Sequence, residues 1–127
     1  MKGMIIRVAV VAGLMCSATA FAADGTAYTS DAGDIAGRTH FDDNGDIYTV
    51  YDMDADNEGV VGWIEVQQAD GSWRAFRRVY VGSGDGTHES NNVDIVREGA
   101  RVKIVACRQN GPSGNPYACG TAIVTGG

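Results

Sequence analysis

Residues 60–67 have the sequence Val-Val-Gly-Trp-Ile-Glu-Val-Gln, and residues 100–107 have the sequence Ala-Arg-Val-Lys-Ile-Val-Ala-Cys. In both segments every even-numbered position is aliphatic or small, whereas Glu65, Arg101 and Lys103 stand at odd-numbered positions. Side chains of a β-strand alternate between two faces, so a period of two is typical of a strand with one buried face. The pattern predicts two core strands whose even-numbered residues point inward.

Turn signals such as Asn44-Gly45 and Asp70-Gly71 recur at intervals of about ten residues, a spacing typical of all-β sandwiches. They separate seven predicted strands, near residues 35–42, 46–53, 60–68, 73–81, 92–97, 100–109 and 118–125. No segment after residue 22 has the apolar spacing of an amphipathic helix. The sequence therefore predicts an all-β domain, a seven-stranded antiparallel immunoglobulin-like β-sandwich without a helix.

The amino-terminal segment has a different composition from the rest of the chain. Lys2 and Arg7 precede an apolar run, and residues 20–22 have the sequence Ala-Phe-Ala. Basic, apolar and small-residue segments in this order are typical of a secretory signal peptide. We therefore predict a signal peptide at 1–22, an extended polar tail at 23–33 and a β-sandwich domain at 34–127. The protein is expected to be secreted and extracellular.

The chain is acidic, and its charge is unevenly distributed. Its 127 residues carry a formal charge of −6, and loss of two leader bases would leave 8 − 16 = −8, which argues against nucleic acid as a partner. Residues 24–65 contain eleven acids and one base, whereas residues 70–108 contain five acids and seven bases. Such an uneven charge distribution suits association with another protein or with further copies of the same chain, although solubility in the extracellular medium explains it at least as well.

Two of the three cysteines follow the predicted leader. Cys107 and Cys119 allow a single intrachain disulfide in an oxidising compartment. Cys107 is in phase with Arg101 and Lys103, so the bond should join two neighbouring strands on the outer face and not cross the core. It would also close the loop 110–118, which contains two prolines.

The residues that could support catalysis or metal binding do not form a complete motif. The alternating aspartates of residues 52–56 match the first half of a calcium-binding loop, but the closing bidentate glutamate is replaced by Trp63. Ser83 lacks the nucleophile-elbow motif, and His88 lies five residues away in the same glycine-rich loop. We therefore predict no catalytic residue, metal ligand or cofactor, and no enzymatic activity.

Aromatic and arginine side chains are the candidate binding residues, because these types commonly supply interface energy. Trp63 is in phase with Glu65, and the following predicted strand contains four more candidates, Trp73, Phe76, Arg77 and Arg78. The alternative is that the two tryptophans pack as ordinary core. Tyr28, in the predicted tail, could fill a pocket if the tail added a strand to a partner's sheet; the alternative is a simple spacer.

Several segments occur in a recognisable order: Ile-Tyr-Thr-Val-Tyr-Asp at 47–52, Ala-Asp-Asn at 55–57, the strand 60–66, the turn 71–73 (Gly-Ser-Trp) and the hairpin 107–119. This order resembles a family of small secreted β-sandwich proteins of soil bacteria, over roughly residues 38–124. Many members have an additional cysteine pair, which this chain lacks, and most have no assigned activity. Some proteins similar in size and layout are small adaptor subunits of secreted umbrella-shaped toxin particles, in which they join a lectin-like subunit to a large toxin polypeptide.

The resemblance implies a secreted, noncatalytic binding module that acts as an adaptor or assembly subunit of an antibacterial toxin particle. Its partners would be other secreted proteins, including larger particle subunits, without nucleic acid and without stable membrane insertion. The competing interpretation is an inhibitor of an extracellular protease or other hydrolase that uses the stapled loop 110–118, since a partly ordered loop binds at lower entropic cost.

Overall fold

The computed structural model describes residues 24–30, 35–54, 57–93 and 99–125. These residues form nine β-strands and no helix. The strands are β1 (Gly25–Tyr28), β2 (Gly37–Asp42), β3 (Ile47–Asp52), β4 (Gly59–Gln67), β5 (Trp73–Ala75), β6 (Val79–Val81), β7 (His88–Asn92), β8 (Arg101–Gln109) and β9 (Tyr117–Thr125). The predicted signal peptide 1–22 lies outside the described residues.

The strands form two antiparallel sheets that enclose one main core. The first sheet has the order β1-β2-β3-β7, and the second has the order β9-β8-β4-β5, with β6 also paired to β4. The prediction of an all-β antiparallel sandwich is confirmed. The predicted number of seven strands is wrong, and the connectivity differs from the immunoglobulin order, in which the third strand lies in the sheet opposite the second.

The predicted strand 73–81 is interrupted. Trp73–Ala75 pair with one part of β4 and Val79–Val81 pair with another, and residues 76–78 between them belong to neither strand. Within this break the Phe76 N–H still donates a hydrogen bond to the Ile64 carbonyl, at 2.9 Å. The structure also places the strand β7 at 88–92, where the sequence predicts mostly a glycine-rich loop, and most of the predicted strand 92–97 lies outside the described residues.

The placement of residues 25–28 corrects the prediction that 23–33 is a tail outside the sandwich. These four residues form β1 and pair with β2, with Tyr28 opposite Arg38. Ala27 is only 2% exposed and belongs to the core. The sequence predicts a tail here because the segment contains no large aliphatic residue. The structure requires a small residue at Gly25 because the two sheets approach closely, so that a Cβ at this position would lie 2.9 Å from the Ile104 side chain.

The predicted inward set of β4 and β8 is confirmed. The even-numbered residues of both strands face the first sheet, whose inward side chains include Phe41, Tyr48 and Val50. The buried members of this core are Ala27, Phe41, Tyr48, Val50, Val60, Ile64, Val66, Val79, Val81, Ala100, Val102, Ile104 and Ala106. Burial of this apolar set is the principal stabilising contribution to the fold.

Tyr48 is a buried phenol that links β3, β7 and the segment after β5. Its hydroxyl donates a hydrogen bond to the Arg77 carbonyl and accepts one from Asn91 Nδ2 at 2.9 Å. Burial raises the pKa of this phenol above its ordinary value, although the Asn91 hydrogen bond and the Arg77 charge act in the opposite direction. The neutral phenol is therefore the form that the folded protein favours.

We expect Tyr48→Phe to lower the free energy of unfolding at neutral pH by about 1–3 kcal/mol, because two partly buried hydrogen-bonding groups lose their partner. Since the folded pKa is raised, the contribution of Tyr48 is fully present below about pH 10 and is lost as the pH rises through the folded pKa. Urea unfolding between neutral and alkaline pH measures both effects. Tyr51→Phe, on the outward face of the same strand, is the control and should change neutral stability by less than about 0.5 kcal/mol. Equal losses in the two variants would contradict this role of Tyr48.

Candidate functional site: a basic aromatic face on the second sheet

The outward side of the second sheet contains a second, smaller apolar cluster. It consists of Val61, Trp63, Val105 and Cys107, with Tyr80 packed against them. Trp63 is 8% exposed and Cys107 is fully buried, although both point away from the main core. The alternative that Trp63 packs as core is therefore the one that the structure supports.

Trp63 is covered by charged side chains. The guanidinium carbon of Arg78 lies 4.3 Å from the centroid of its ring, and the indole N–H donates a hydrogen bond to Glu65 Oε2 at 3.0 Å. A cation over a tryptophan face is held by the ring quadrupole, with a contribution of about 0.5–1 kcal/mol at exposed sites. Arg78 and Glu65 therefore occupy defined positions over and beside the ring.

The arrangement continues along the sheet to a second tryptophan. Glu65 Oε1 lies 3.6 Å from Lys103 Nζ, and this ammonium lies 4.6 Å from the centroid of Trp73. Arg101 also faces the Trp73 ring, at 5.9 Å. The strand register brings Glu65, Lys103 and Trp73 together, because Glu65 pairs with Lys103 of β8 on one side and with Ala75 of β5 on the other. We call the set Trp63, Trp73, Arg78, Arg101 and Lys103, with Glu65 between them, the basic aromatic face.

Two of the binding residues predicted on the strand 73–81 lie outside this face. Phe76 packs against the main core, so it does not share the outward side with Trp73. Arg77 Nη2 donates a hydrogen bond to Asn91 Oδ1 of β7 at 3.0 Å. The break between β5 and β6 turns these two side chains away, whereas Arg78 returns to the outer face. Sequence alternation carried across residues 73–81 could not anticipate that break.

Tyr28 lies on the opposite side of the molecule, on the outward face of the first sheet. It is 44% exposed and stands in one cross-strand row with Arg38, Tyr51 and His88. Arg38 lies 4.2 Å from the centroid of Tyr51, whose ring is 5.4 Å from that of His88. The predicted addition of Tyr28 to a partner's sheet does not match this position, since β1 already pairs with β2 of its own chain.

The two sheets differ in charge among the described residues. The strands of the first sheet and the turn 43–46 carry five acids and one base, and the strands of the second sheet with the connections 68–72, 76–78 and 110–116 carry two acids and six bases. The six bases are Arg74, Arg77, Arg78, Arg101, Lys103 and Arg108. The charge asymmetry of the sequence thus becomes an asymmetry between the two faces of the sandwich, because β1, β2 and β3 all lie in the first sheet, whereas β4, β5, β6, β8 and β9 all lie in the second.

The predicted disulfide is confirmed: Cys107 and Cys119 are bonded, and they join the neighbouring strands β8 and β9 outside the main core. The loop that they close is folded on itself, since Gln109 Nε2 and the Gly114 N–H both donate hydrogen bonds to the Gly111 carbonyl. At its end Tyr117 is 42% exposed, with Arg108 5.6 Å from the ring centroid. The loop is a second candidate binding element.

Comparison with known proteins finds no match to a protein-family model, to a curated protein or to a solved structure. None of the described residues forms a helix long and apolar enough to cross a membrane. The same residues contain no group of three or more His, Cys, Asp or Glu side chains placed to hold a metal ion. Of the alternating aspartates, Asp52 is buried and Asp56 lies outside the described residues.

Proposed function

We propose that this chain is a noncatalytic protein-binding module that attaches to an acidic protein surface through the basic aromatic face. The observation that supports the proposal most is the row of cations held over tryptophan rings, from Arg78 over Trp63 to Lys103 over Trp73. Tryptophan and arginine are the residue types most enriched among those that dominate binding energy. Side chains that are already positioned also lose less conformational freedom on binding.

The charge of this face specifies the chemistry of the partner. One carboxylate, Glu65, stands among three cations, so a partner that presents several acidic groups gains favourable contacts. Electrostatic complementarity of this kind mainly accelerates association and excludes wrong partners. Binding is therefore expected to weaken as ionic strength rises, because exposed charges are screened beyond about 8–10 Å at physiological salt.

The specific role that we propose is an adaptor in a secreted antibacterial particle. An adaptor contacts two different proteins at once, and this sandwich has two chemically unlike outer faces. One is basic with tryptophans, and the other carries Tyr28, Arg38, Tyr51 and His88 within an acidic sheet. Larger subunits of the particle would be the partners, and the protein would act outside the cell.

The proposal is tested with two charge-reversed variants of equal charge. The variant Arg78→Glu/Lys103→Glu alters the basic aromatic face, whereas Arg74→Glu/Arg77→Glu alters two arginines outside it. Each tagged protein is used to capture proteins from the culture medium of the producing organism, followed by mass spectrometry. We expect the first variant to lose the captured large polypeptides and the second to retain them.

The dissociation constant of the complex with the purified partner then measures how much the basic aromatic face contributes to binding. The face variant should bind at least about tenfold more weakly than wild type, a difference of about 1.4 kcal/mol, and raising the salt concentration should reduce the remaining difference. Melting curves confirm that both variants fold. Capture of the same polypeptides with unchanged affinity by Arg78→Glu/Lys103→Glu would contradict the proposal.

The second candidate function is inhibition of an extracellular hydrolase by the stapled loop 110–118. The disulfide at its base and the hydrogen bonds to the Gly111 carbonyl favour this alternative, because they order the loop before binding. An inhibitor would remain unaccompanied in the culture medium and block a protease. Replacing Ser113 and Asn115 by glycine would then abolish inhibition and leave the adaptor interaction unchanged.

A further inference from the structure

The strand β9 is an edge strand with two differently protected halves. Edge strands present unpaired backbone groups, and proteins usually protect them with short length, charge, proline or a bulge. The first half of β9 is protected: its register shifts between Tyr117 and Gly120, and the Ala118 carbonyl accepts a hydrogen bond from the Ser30 N–H at 2.9 Å. A side chain at Gly120 would overlap the Tyr28 carbonyl, so β1 lies directly against this half.

The second half, residues 121–125, has no register shift and no backbone hydrogen bond to β1 in the described part of the chain, although the Val124 side chain packs against Gly25 of β1 on the inner side of the sheet. Its sequence is Thr-Ala-Ile-Val-Thr, without charge or proline, and its pairing with β8 is regular from Gly120 to Thr125. Within the described chain no backbone hydrogen bond outside the β8 ladder involves these residues. The other edge strands among the described residues are shorter, with three to five residues each.

Ile123 is the most exposed large apolar side chain of the described residues, at 47%. It points outward, whereas its neighbours Ala122 and Val124 are partly buried against the main core. An exposed β-branched residue at the centre of an uncharged edge strand is unfavourable in an isolated domain. Covering this strand would remove both the exposed apolar side chain and the unpaired backbone groups from water.

The sequence of this half is complementary to itself when two copies run antiparallel. If Ile123 lies opposite Ile123 of a second copy, then Ala122 lies opposite Val124 and Thr121 lies opposite Thr125. Threonine pairs, apolar pairs and the absence of opposed like charges are all favourable across an antiparallel ladder. A twofold axis requires this kind of self-complementary surface.

We propose that β9 is a homodimerisation strand that pairs antiparallel with β9 of a second copy over residues 121–125, with Ile123 at the twofold axis. The two second sheets then form one continuous sheet with the order β5-β4-β8-β9 followed by its symmetry mate. Opposed residues of an antiparallel sheet point to the same side. Both copies of the basic aromatic face therefore lie on one side of the dimer.

The dimer changes the way in which the proposed binding face acts. Two faces on one rigid sheet bind a repetitive or dimeric acidic partner with a higher effective concentration than one face alone. Only this consequence depends on the proposed function. Pairing through β9 depends on the sequence and exposure of residues 121–125 and stands if the partner proves to be different.

A pair of charge variants tests the register itself. In Thr121→Lys/Thr125→Lys, the proposed pairing places lysine opposite lysine twice, so we expect the dimer dissociation constant to rise at least about tenfold. In Thr121→Lys/Thr125→Glu, lysine lies opposite glutamate twice, and dimerisation should be retained. Sedimentation equilibrium from micromolar to millimolar protein measures both, and circular dichroism with melting curves confirms the fold.

A second pair of variants distinguishes dimerisation through β9 from nonspecific association of exposed apolar side chains. Ile123→Lys should give monomers, whereas Ile35→Lys, at an isoleucine of similar exposure outside β9, should dimerise like wild type. The proposal is overturned by a wild-type protein that stays monomeric at millimolar concentration. It is equally overturned if the two threonine double variants dimerise with the same affinity, or if Ile123→Lys remains dimeric. Loss of partner capture in the Arg78→Glu/Lys103→Glu variant with dimerisation intact would distinguish the two proposals.

Discussion

Replacing Cys107 and Cys119 together by alanine is expected to lower the free energy of unfolding by about 3 kcal/mol. The two residues are separated by 12 positions, and a cross-link that closes a loop of this length removes about that much conformational free energy from the unfolded chain. For a domain of this size, such a loss corresponds to a fall in melting temperature of roughly 12–24 °C. Thermal unfolding followed by circular dichroism measures it.

Reductant separates the effect of the bond from that of packing at Cys107, which is fully buried beside Val61 and Val105. Wild type in reductant should lose most of the stability that the double variant loses. The double variant itself should be insensitive to reductant, which makes it the control. A wild-type melting temperature that does not change on complete reduction would show that the bond contributes little to stability.

Ile104→Ala is expected to have a comparable or larger effect, about 2–5 kcal/mol. Ile104 is fully buried in β8, the strand between β4 and β9, and β1 lies directly over it at Gly25. Truncation therefore removes apolar contacts between the two sheets, and the surrounding strands can close the space only partly. The loss includes both the transfer of the missing methyl groups and the cavity that remains.

Urea unfolding of Ile104→Ala should show a lower midpoint with an unchanged dependence on denaturant, because the surface exposed on unfolding stays the same. Ile35→Ala is the matched control, since this isoleucine is 43% exposed, and its unfolding free energy should change by less than about 0.5 kcal/mol. Equal losses at the two positions would mean that the contact between the sheets at Ile104 is not central to stability.

The basic aromatic face was only partly predictable. Alternation placed Trp63 and Lys103 on the outward side correctly, because the period of two holds throughout β4 and β8. The sequence left open whether Trp63 binds a partner or packs as core, and in the structure Arg78, Glu65 and Tyr80 cover it. Glu65 lies two residues away on the same strand and was in phase with Trp63, but Arg78 and Tyr80 come from beyond the next turn, so their contacts depend on strand pairing that no local pattern specifies.

Local patterns were sufficient for the features that depend on neighbouring positions. The alternation of residues 60–67 and 100–107 specified the class of fold and the inward set, and the phase of Cys107 placed the disulfide on the outer side. These inferences succeed because strand geometry and cysteine chemistry act over a few residues.

Long-range packing decided the rest. Residues 25–28 became a strand because Gly25 and Ala27 are small enough to fit where the two sheets are closest, against Ile104 and Val124, which follow Gly25 by 79 and 99 positions. Residues 73–81 broke into two strands, which turned Phe76 into the core and returned Arg78 to Trp63. Small polar residues and a mixed strand have several acceptable local conformations, and only the free energy of the assembled core and sheets selects one of them.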